Sequence, residues 1–450
     1  MAGNSVDNTK QSGMGLSLDR RRLLLGLGAA GGAIVSASAA RADRCPMAAA
    51  GVAASPLPTI DDRQPFHGIH QAGITSSRPP AGLVVAFDVL AKNRSDLQRL
   101  MHTLTDRIAF LTEGGAAPVG ELDFPPPDSG LLGPVVSPDN LTMTVAVGAS
   151  LFDDRFGLAG VKPTRLATMH QFPNDALEVD RCHGDLLLQI CSNTAETNIH
   201  ALRDVVKHTP DLLMVRWQQD GFVPAPREPG ERKEAPRNML GFKDGTANPD
   251  SSDAALMDRI VWVRQDAGEQ PWAAGGTYQV VRIIRNFVER WDRTRLVEQQ
   301  TIIGRDKYSG APLTMKAERD VPKYADDPKG NNIPLNAHIR LANPRTAATD
   351  ANLILRRPFN FSRGVTKAGQ LDMGLLFICF QADLDAGFIA VQNRLNGEPL
   401  EEYIKPVGGG YFFALPGVPD QHSYLGQSML EAAGRFDRSE ENPSATKKGA

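Results

Sequence analysis

The chain has 450 residues, 22% of them charged and 41% hydrophobic, with 49 Lys and Arg against 52 Asp and Glu for a formal net charge of −3. That length accommodates a large double domain with a sizeable core, and the composition is that of a soluble globular protein. Nearly balanced charge leaves no electrostatic footprint for nucleic acid, so no nucleic-acid partner is expected.

The first segment stands apart from the globule. Asp19-Arg20-Arg21-Arg22-Leu23-Leu24-Leu25 resembles a twin-arginine export signal, followed by an apolar run to about Ala40 that is too Gly- and Ala-rich for a membrane span. Small residues offer cleavage at Ala37-Ser38-Ala39 or Ala40-Arg41-Ala42. Residues 1–42 are therefore read as a signal peptide and 43–65 as a leader. Twin-arginine export carries folded proteins, often with a cofactor already inserted, to the periplasm or the exterior. The four cysteines, Cys45, Cys182, Cys191 and Cys379, form no Cys-x-x-Cys pair and no haem-attachment motif. Cys191 and Cys379 sit in apolar strand-like runs and read as core residues.

The first half spans 66–223. Ala81–Val89 is a β-branched apolar run, and Ser95–Thr112 has helical periodicity with Leu97, Leu100, Met101, Leu104, Ile108 and Leu111 on one stripe. A Pro-rich loop leads to a strand at Leu141–Ala149; Asp185–Ser192 is a strand, Glu196–His208 a helix and Leu212–Gln219 a strand. The order is β-α-β-β-α-β, the ferredoxin-like plan. A polar, Pro-rich linker at 224–236 separates it from a second half at 237–432 that repeats the plan. There the strands are Thr277–Arg285, Leu353–Ser362, Gly374–Gln381 and Tyr411–Leu415, with helices at Arg293–Ile303 and Ala386–Leu395. Residues 433–450 read as a disordered tail. The expected class is thus α+β: two ferredoxin-like modules, of the dimeric α+β barrel type, with a ligand pocket between sheet and helices. The long irregular insertion between Gly304 and Ile354 is of the length that usually carries function.

Three places could carry chemistry. Gly241-Phe-Lys-Asp-Gly-Thr-Ala-Asn-Pro249 holds Asp244; taken alone, its Asp-Gly and Asn-Pro read as a surface turn, whereas a rigidly held carboxylate could move a proton between two oxygens. His338 lies in the insertion, one of nine histidines, with His67, His70 and His183 as competitors for any ligand role. A single imidazole is the commonest way to hold a haem iron with one open face. Arg356 and Arg357 sit in one strand, where alternation sends them to opposite faces. A buried arginine needs a charged partner, and an ordinary surface strand with salt bridges is the alternative.

Taken together these segments resemble the dye-decolourising peroxidase family, and within it the exported deferrochelatase/peroxidase branch. The resemblance rests on GFKDG (Gly241–Gly245), HGDLLLQI (His183–Ile190), NAHIRLANPR (Asn336–Arg345), LRR (Leu355–Arg357), MGLLFICFQ (Met373–Gln381) and GGGYFFALPG (Gly408–Gly417), in that family's order along the mature chain, with the twin-arginine signal. It implies one non-covalent haem b per chain, with His338 as proximal iron ligand, Asp244 as distal acid–base and Arg356 as its partner. Leu375 and Phe377 would line the distal face, Arg345 would contact the cofactor, and Asp383 or Asp385 would hydrogen-bond the proximal histidine. Pro358 stands where some relatives of other branches have a polar residue. The implied activity is reduction of hydrogen peroxide with oxidation of dyes, phenolics or porphyrinogens. Release of iron from haem with the porphyrin intact, and haem carriage without chemistry, are the alternatives. Implied partners are small-molecule reductants or haem, the Tat translocon during export and iron-uptake components; the chain is expected to form a homo-oligomer. Trp217, Trp262, Trp291 and Tyr411 are available as electron relays, although each residue type is more often core packing.

Overall fold

The computed structural model describes residues 57–225 and 235–441. The proposed signal peptide and cleavage sites, Cys45 and most of the linker lie outside the described residues. Among those described, no helix is long and apolar enough to cross a membrane.

The first module comprises β1 (Ala81–Val89), α1 (Arg94–Glu113), β2 (Thr142–Gly148), β3 (Leu186–Ser192), α2 (Ala195–His208) and β4 (Leu213–Phe222). Helix α1 begins where the Asn93 side chain accepts from the Asp96 amide at 2.9 Å, which satisfies one of the unpaired donors of the first turn. All six residues of its apolar stripe are buried. The second module contains α3 (Ala254–Ile260), β5 (Thr277–Asn286), α4 (Leu296–Ile303), α5 (His338–Ala342), β6 (Leu355–Arg356), β7 (Phe359–Val365), β8 (Leu371–Gln381), α6 (Ala390–Leu395) and β9 (Ile404–Ala414), and α7 (Gln427–Glu441) follows.

Each module has the strand order of a ferredoxin-like sheet: β2-β3-β1-β4 in the first, β9-β5-β8-β7 in the second. The two sheets join edge to edge. Phe412, Phe413 and Ala414 of β9 pair with Gly148, Val147 and Ala146 of β2, and Phe222 of β4 pairs with Asn360 of β7. Eight antiparallel strands therefore close into one ring, which leaves neither module with a free edge between them. Alternation then sorts the side chains. One buried cluster gathers Val84, Ala86, Leu187, Trp217, Leu376 and Phe412 from the inward face. The other gathers Val85, Phe87, Leu188, Tyr411 and Phe413 from the outward face with Leu97 and Leu104 of α1.

Phe412 stands fully buried at the seam between the modules. We expect Phe412→Ala to destabilise the protein by about 3–5 kcal/mol, the range for a large cavity in a closed core, as read by chemical denaturation.

Several boundaries differ from the expected ones. The single strand expected at Leu353–Ser362 is two pieces, β6 and β7, on the same edge of β8. Pro358 lies in the gap and has no N–H to offer the ladder. The helix expected at Ala386–Leu395 opens with a wide π-helical turn, Asp385–Ile389. The tail expected to be disordered from 433 is helical as far as Glu441, and 442–450 lie outside the described residues. Cys182, Cys191 and Cys379 are free and buried, and burial raises the pKa of each thiol, which keeps it protonated and inert.

Candidate functional site

A cavity of about 280 Å³ lies against the second module's sheet, closed over by the insertion and the α6 region. Its sheet wall carries Leu375 and Phe377 of β8, which alternation aims away from the ring interior, and Ile284 of β5 beside them. Phe388, from the π-helical turn, and Val391 supply apolar surface from the helical side. Asp244, Arg356, His338 and Arg345 all line this one cavity. Asp244 lies far from the other three in sequence, and the fold brings it to them. His67, His70 and His183 lie elsewhere: His70 stacks on Trp262 at 3.7 Å and its Nδ1 meets the Gly275 carbonyl at 2.8 Å.

Asp244 is held in a turn built on two glycines. Gly241 and Gly245 have φ of 83° and 115°, where a side chain is disfavoured. Asn238 organises the turn through its Oδ1, which accepts from the Leu240 and Phe242 amides at 3.1 and 3.2 Å. The Asp244 amide donates to the Pro236 carbonyl at 2.7 Å. The side chain then meets Arg356, whose Nη1 donates to Asp244 Oδ1 at 2.6 Å, while Asn238 Nδ2 lies 3.5 Å from Oδ2. Burial pushes the Asp244 pKa up, but the Arg356 guanidinium, helped by Asn238 and Arg78, outweighs it, so the carboxyl is held below its ordinary 3.8.

Arg356 is fixed from behind by Asn248, which sequence reasoning missed. Asn248 Oδ1 accepts from the Arg356 amide at 2.8 Å and its Nδ2 donates to the Arg356 carbonyl at 3.0 Å. One amide side chain thus completes the hydrogen bonding of a strand two residues long. Arg357 takes the opposite face, as alternation requires, and donates to the carbonyls of Ser76 and Ser77. Arg357 is buried at 4% exposure and held by carbonyls, so it is not the surface salt-bridge residue of the alternative reading, while Arg356 lines the cavity.

His338 opens α5. Gly304 ends α4 with φ of 91°, and a Cβ there would lie 2.7 Å from the Ile339 side chain, so glycine lets the end of α4 approach α5 closely. At the other end of α5, Arg394 donates to the carbonyls of Leu341 and Ala342 at 3.0 and 3.3 Å, a cation placed at a helix C-terminus. The surrounding insertion is irregular but tied. Asp327 accepts from the amides of Asn331, Asn332 and Ile333, and Arg340 of α5 reaches it at 3.2 Å.

The acidic partner of His338 is Glu398. His338 Nδ1 lies 2.8 Å from Glu398 Oε2, and the glutamate side chain is 3% exposed. Neither Asp383 nor Asp385 fills that place: Asp383 pairs with Arg165 at 2.8 Å and accepts from the amides of Asp385 and Ala386, where it serves the π-helical turn. Glu398 follows Asn396-Gly397 and precedes Pro399, so its local sequence signals only a turn, and nothing in it points to a residue of α5. Burial lowers the His338 pKa and Glu398 raises it by more, so the net shift is upward from 6.5. The imidazole is made more basic, and with Nδ1 engaged Nε2 is the nitrogen left for a ligand.

The four candidate relay aromatics are all buried: Trp217 at 5%, Trp262 at 6%, Trp291 at 0% and Tyr411 at 3%. Three of them serve packing visibly, with Trp217 and Trp291 donating Nε1 to the carbonyls of His183 and Leu240, and Trp262 stacked on His70.

Comparison with known proteins identifies the family. Family models described as Dyp-type peroxidase, N-terminal, and Dyp-type peroxidase, C-terminal, match residues 71–223 and 235–419. A curated relative from Yersinia pseudotuberculosis serotype I, named Deferrochelatase, is 58% identical over 420 residues, 93% of this chain and 96% of its own length. The Deferrochelatase of Escherichia coli O157:H7 is 57% identical over 417 residues, 91% of this chain and 96% of that one. Among solved structures, a DyP-type peroxidase from Cellulomonas bogoriensis is 36% identical, covers 82% of this chain and 99% of its own, and superposes with a TM-score of 0.73. Ferric DtpA from Streptomyces lividans is 33% identical at a TM-score of 0.74, covering 84% of this chain and all of its own. Both modules and the cavity they build fall within these matches: the chain is an enzyme and belongs to the Dyp-type peroxidase family.

Proposed function

We propose that this chain is a haem b-dependent peroxidase that reduces hydrogen peroxide, exported by the twin-arginine route. The observation that carries the reading is the Asp244–Arg356 pair in one cavity with a histidine whose Nδ1 is held by a buried glutamate. The residues fit the group. His338 offers one nitrogen, which suits an iron whose other ligands come with the macrocycle; Leu375, Phe377 and Phe388 offer apolar walls, and Arg345 offers a cation for a carboxylate edge. His338 would hold the iron, and haem, when bound, would supply the redox chemistry that breaks the O–O bond.

The chain's own residues would do the rest. Asp244 is ionised at neutral pH and has its Oδ1 engaged by Arg356, so Oδ2 is the oxygen that takes a proton from hydrogen peroxide and returns it to the departing oxygen. The Arg356 guanidinium faces the negative charge that develops as that bond lengthens. Glu398 keeps His338 in one tautomer and orientation.

A second reading, release of iron from haem with the porphyrin left intact, draws on the Deferrochelatase relatives and would use the same cavity. Small-molecule reductants, iron-uptake components in the periplasm and a homo-oligomeric assembly belong to the same proposal. A pure carrier would not need a carboxylate paired to a guanidinium beside the ligand. Absorption of the haem-loaded protein before and after an equimolar addition of hydrogen peroxide tests the reading: we expect a Soret band that shifts within seconds. Slow bleaching would favour iron release or carriage, and failure to acquire a Soret band with added haem would overturn all three.

A further inference from the structure

The insertion that carries His338 also carries Glu318, and this second acid grips the turn that holds Asp244. Glu318 Oε2 meets Lys243 Nζ at 2.8 Å, and Oε1 accepts from Thr246 Oγ1 at 2.9 Å and from the Ala235 amide at 3.2 Å. Lys243 is the residue before Asp244, Thr246 the second residue after it, and Ala235 precedes Pro236, whose carbonyl accepts the Asp244 amide. Both carboxylate oxygens are thus spent on the two flanks of one turn. The pair is buried, with side chains 5% and 11% exposed, so it is little screened by solvent. The Glu318 carbonyl also accepts from Arg305 Nη1 at 2.9 Å, and Arg305 lines the cavity.

We propose that Glu318 is a positioning residue for the distal acid: by holding Lys243 and Thr246 it fixes how closely Asp244 can approach Arg356. The proposal rests on the reading of Asp244 as the proton carrier. Asn248 fixes the arginine side of the pair through the Arg356 backbone, and Glu318 fixes the aspartate side from the insertion. One segment therefore sets the place of the iron ligand and of the acid that works beside it. A lengthened pair would weaken what offsets burial at Asp244, where Arg356 acts first, then Asn238 and Arg78, with His338 the titratable group across the cavity.

The test compares Glu318→Ala and Glu318→Gln with the unaltered protein, each haem-loaded, by stopped-flow reaction with hydrogen peroxide across pH. In parallel the Asp244 carboxyl is titrated by carbon NMR in the haem-free protein, with Asp244→Asn to assign its resonance. We expect Glu318→Ala to slow the peroxide reaction by about 10- to 100-fold, the scale of a displacement near 1 Å in a reacting group. The Asp244 midpoint should rise by about one pH unit, the scale of losing a close opposite charge. Glu318→Gln keeps an acceptor for Thr246 and Ala235 and should fall between. An unchanged rate and midpoint in Glu318→Ala, with Asp244→Asn inactive, would overturn the proposal and leave the Asp244 assignment standing. Full reactivity in Asp244→Asn would overturn that assignment and the proposal with it. Should Glu318→Ala not fold, an unchanged rate and midpoint in Glu318→Gln and Thr246→Val would overturn the proposal equally.

Discussion

Replacing His338 by alanine is expected to remove axial nitrogen ligation of the bound haem and to lower affinity for it by more than about 100-fold, since losing even a neighbour of a metal ligand costs 10- to 100-fold. The apolar walls remain, so residual binding without a protein nitrogen should give an altered Soret band, and added imidazole should restore the original one. Titration of each variant with haem, followed by magnetic circular dichroism, reads both effects. An unaltered nitrogen-ligated spectrum in His338→Ala would place the ligand elsewhere. Glu398→Gln should act more mildly and in an opposite direction with pH. In the unaltered site Glu398 outweighs burial and raises the His338 pKa, so a proton competes for the imidazole and haem loading falls as pH drops through a value above 6.5. Without the carboxylate, burial and the Arg356 charge lower the pKa against only Asp244, so it falls, and the acid edge of haem loading moves to lower pH, with a weaker ligand at neutrality.

Much of this molecule was legible in its sequence because the two ferredoxin-like modules are written in strong periods. The stripe from Leu97 to Leu111 has the period of a helix buried on one face, and the shortness and β-branched content of a run such as Ala81–Val89 favour a strand buried on both. Asp244 and Arg356 were legible as residues but not as a pair, because their contact joins a turn to a strand 112 positions away. The resemblance supplied that pairing; periodicity could not. It did not supply Glu398. The expected proximal acids, Asp383 and Asp385, follow closely after β8, whereas the glutamate that reaches His338 comes from the turn after α6. Asn248 and Glu318 were invisible for a related reason: each acts through its side chain on backbone or neighbours of a site residue, and such contacts have no period and no local signature. Break points were also hard to read, since Pro358 divides what reads as one strand with apolar residues on both sides of Arg356-Arg357.

The second large effect is expected at Asp244. Asp244→Asn keeps the size and removes the exchangeable charge, so its peroxide reaction should slow by about 10²- to 10⁴-fold, the range for losing a positioned general acid–base, while the resting haem spectrum stays nearly unchanged. Arg356→Leu separates two roles. It removes the guanidinium that faces developing charge, which should itself cost about 10²- to 10³-fold. It also removes the foremost influence that lowers the Asp244 pKa and leaves burial, which raises it. The carboxylate is the form that accepts a proton, so the rate falls as pH drops through this pKa. In the unaltered enzyme that acid limb lies below the ordinary 3.8, and in Arg356→Leu it should move up toward or beyond it. Arg356→Lys should restore part of the lowering but little of the rate, because an ammonium cannot reproduce the planar guanidinium whose Nη1 meets Asp244 Oδ1 while its backbone is held by Asn248. Stopped-flow rates measured from acid to neutral pH on the three variants distinguish these outcomes. An acid limb that stays in place in Arg356→Leu would mean either that the guanidinium does not govern the carboxyl or that a group other than Asp244 sets the pH dependence.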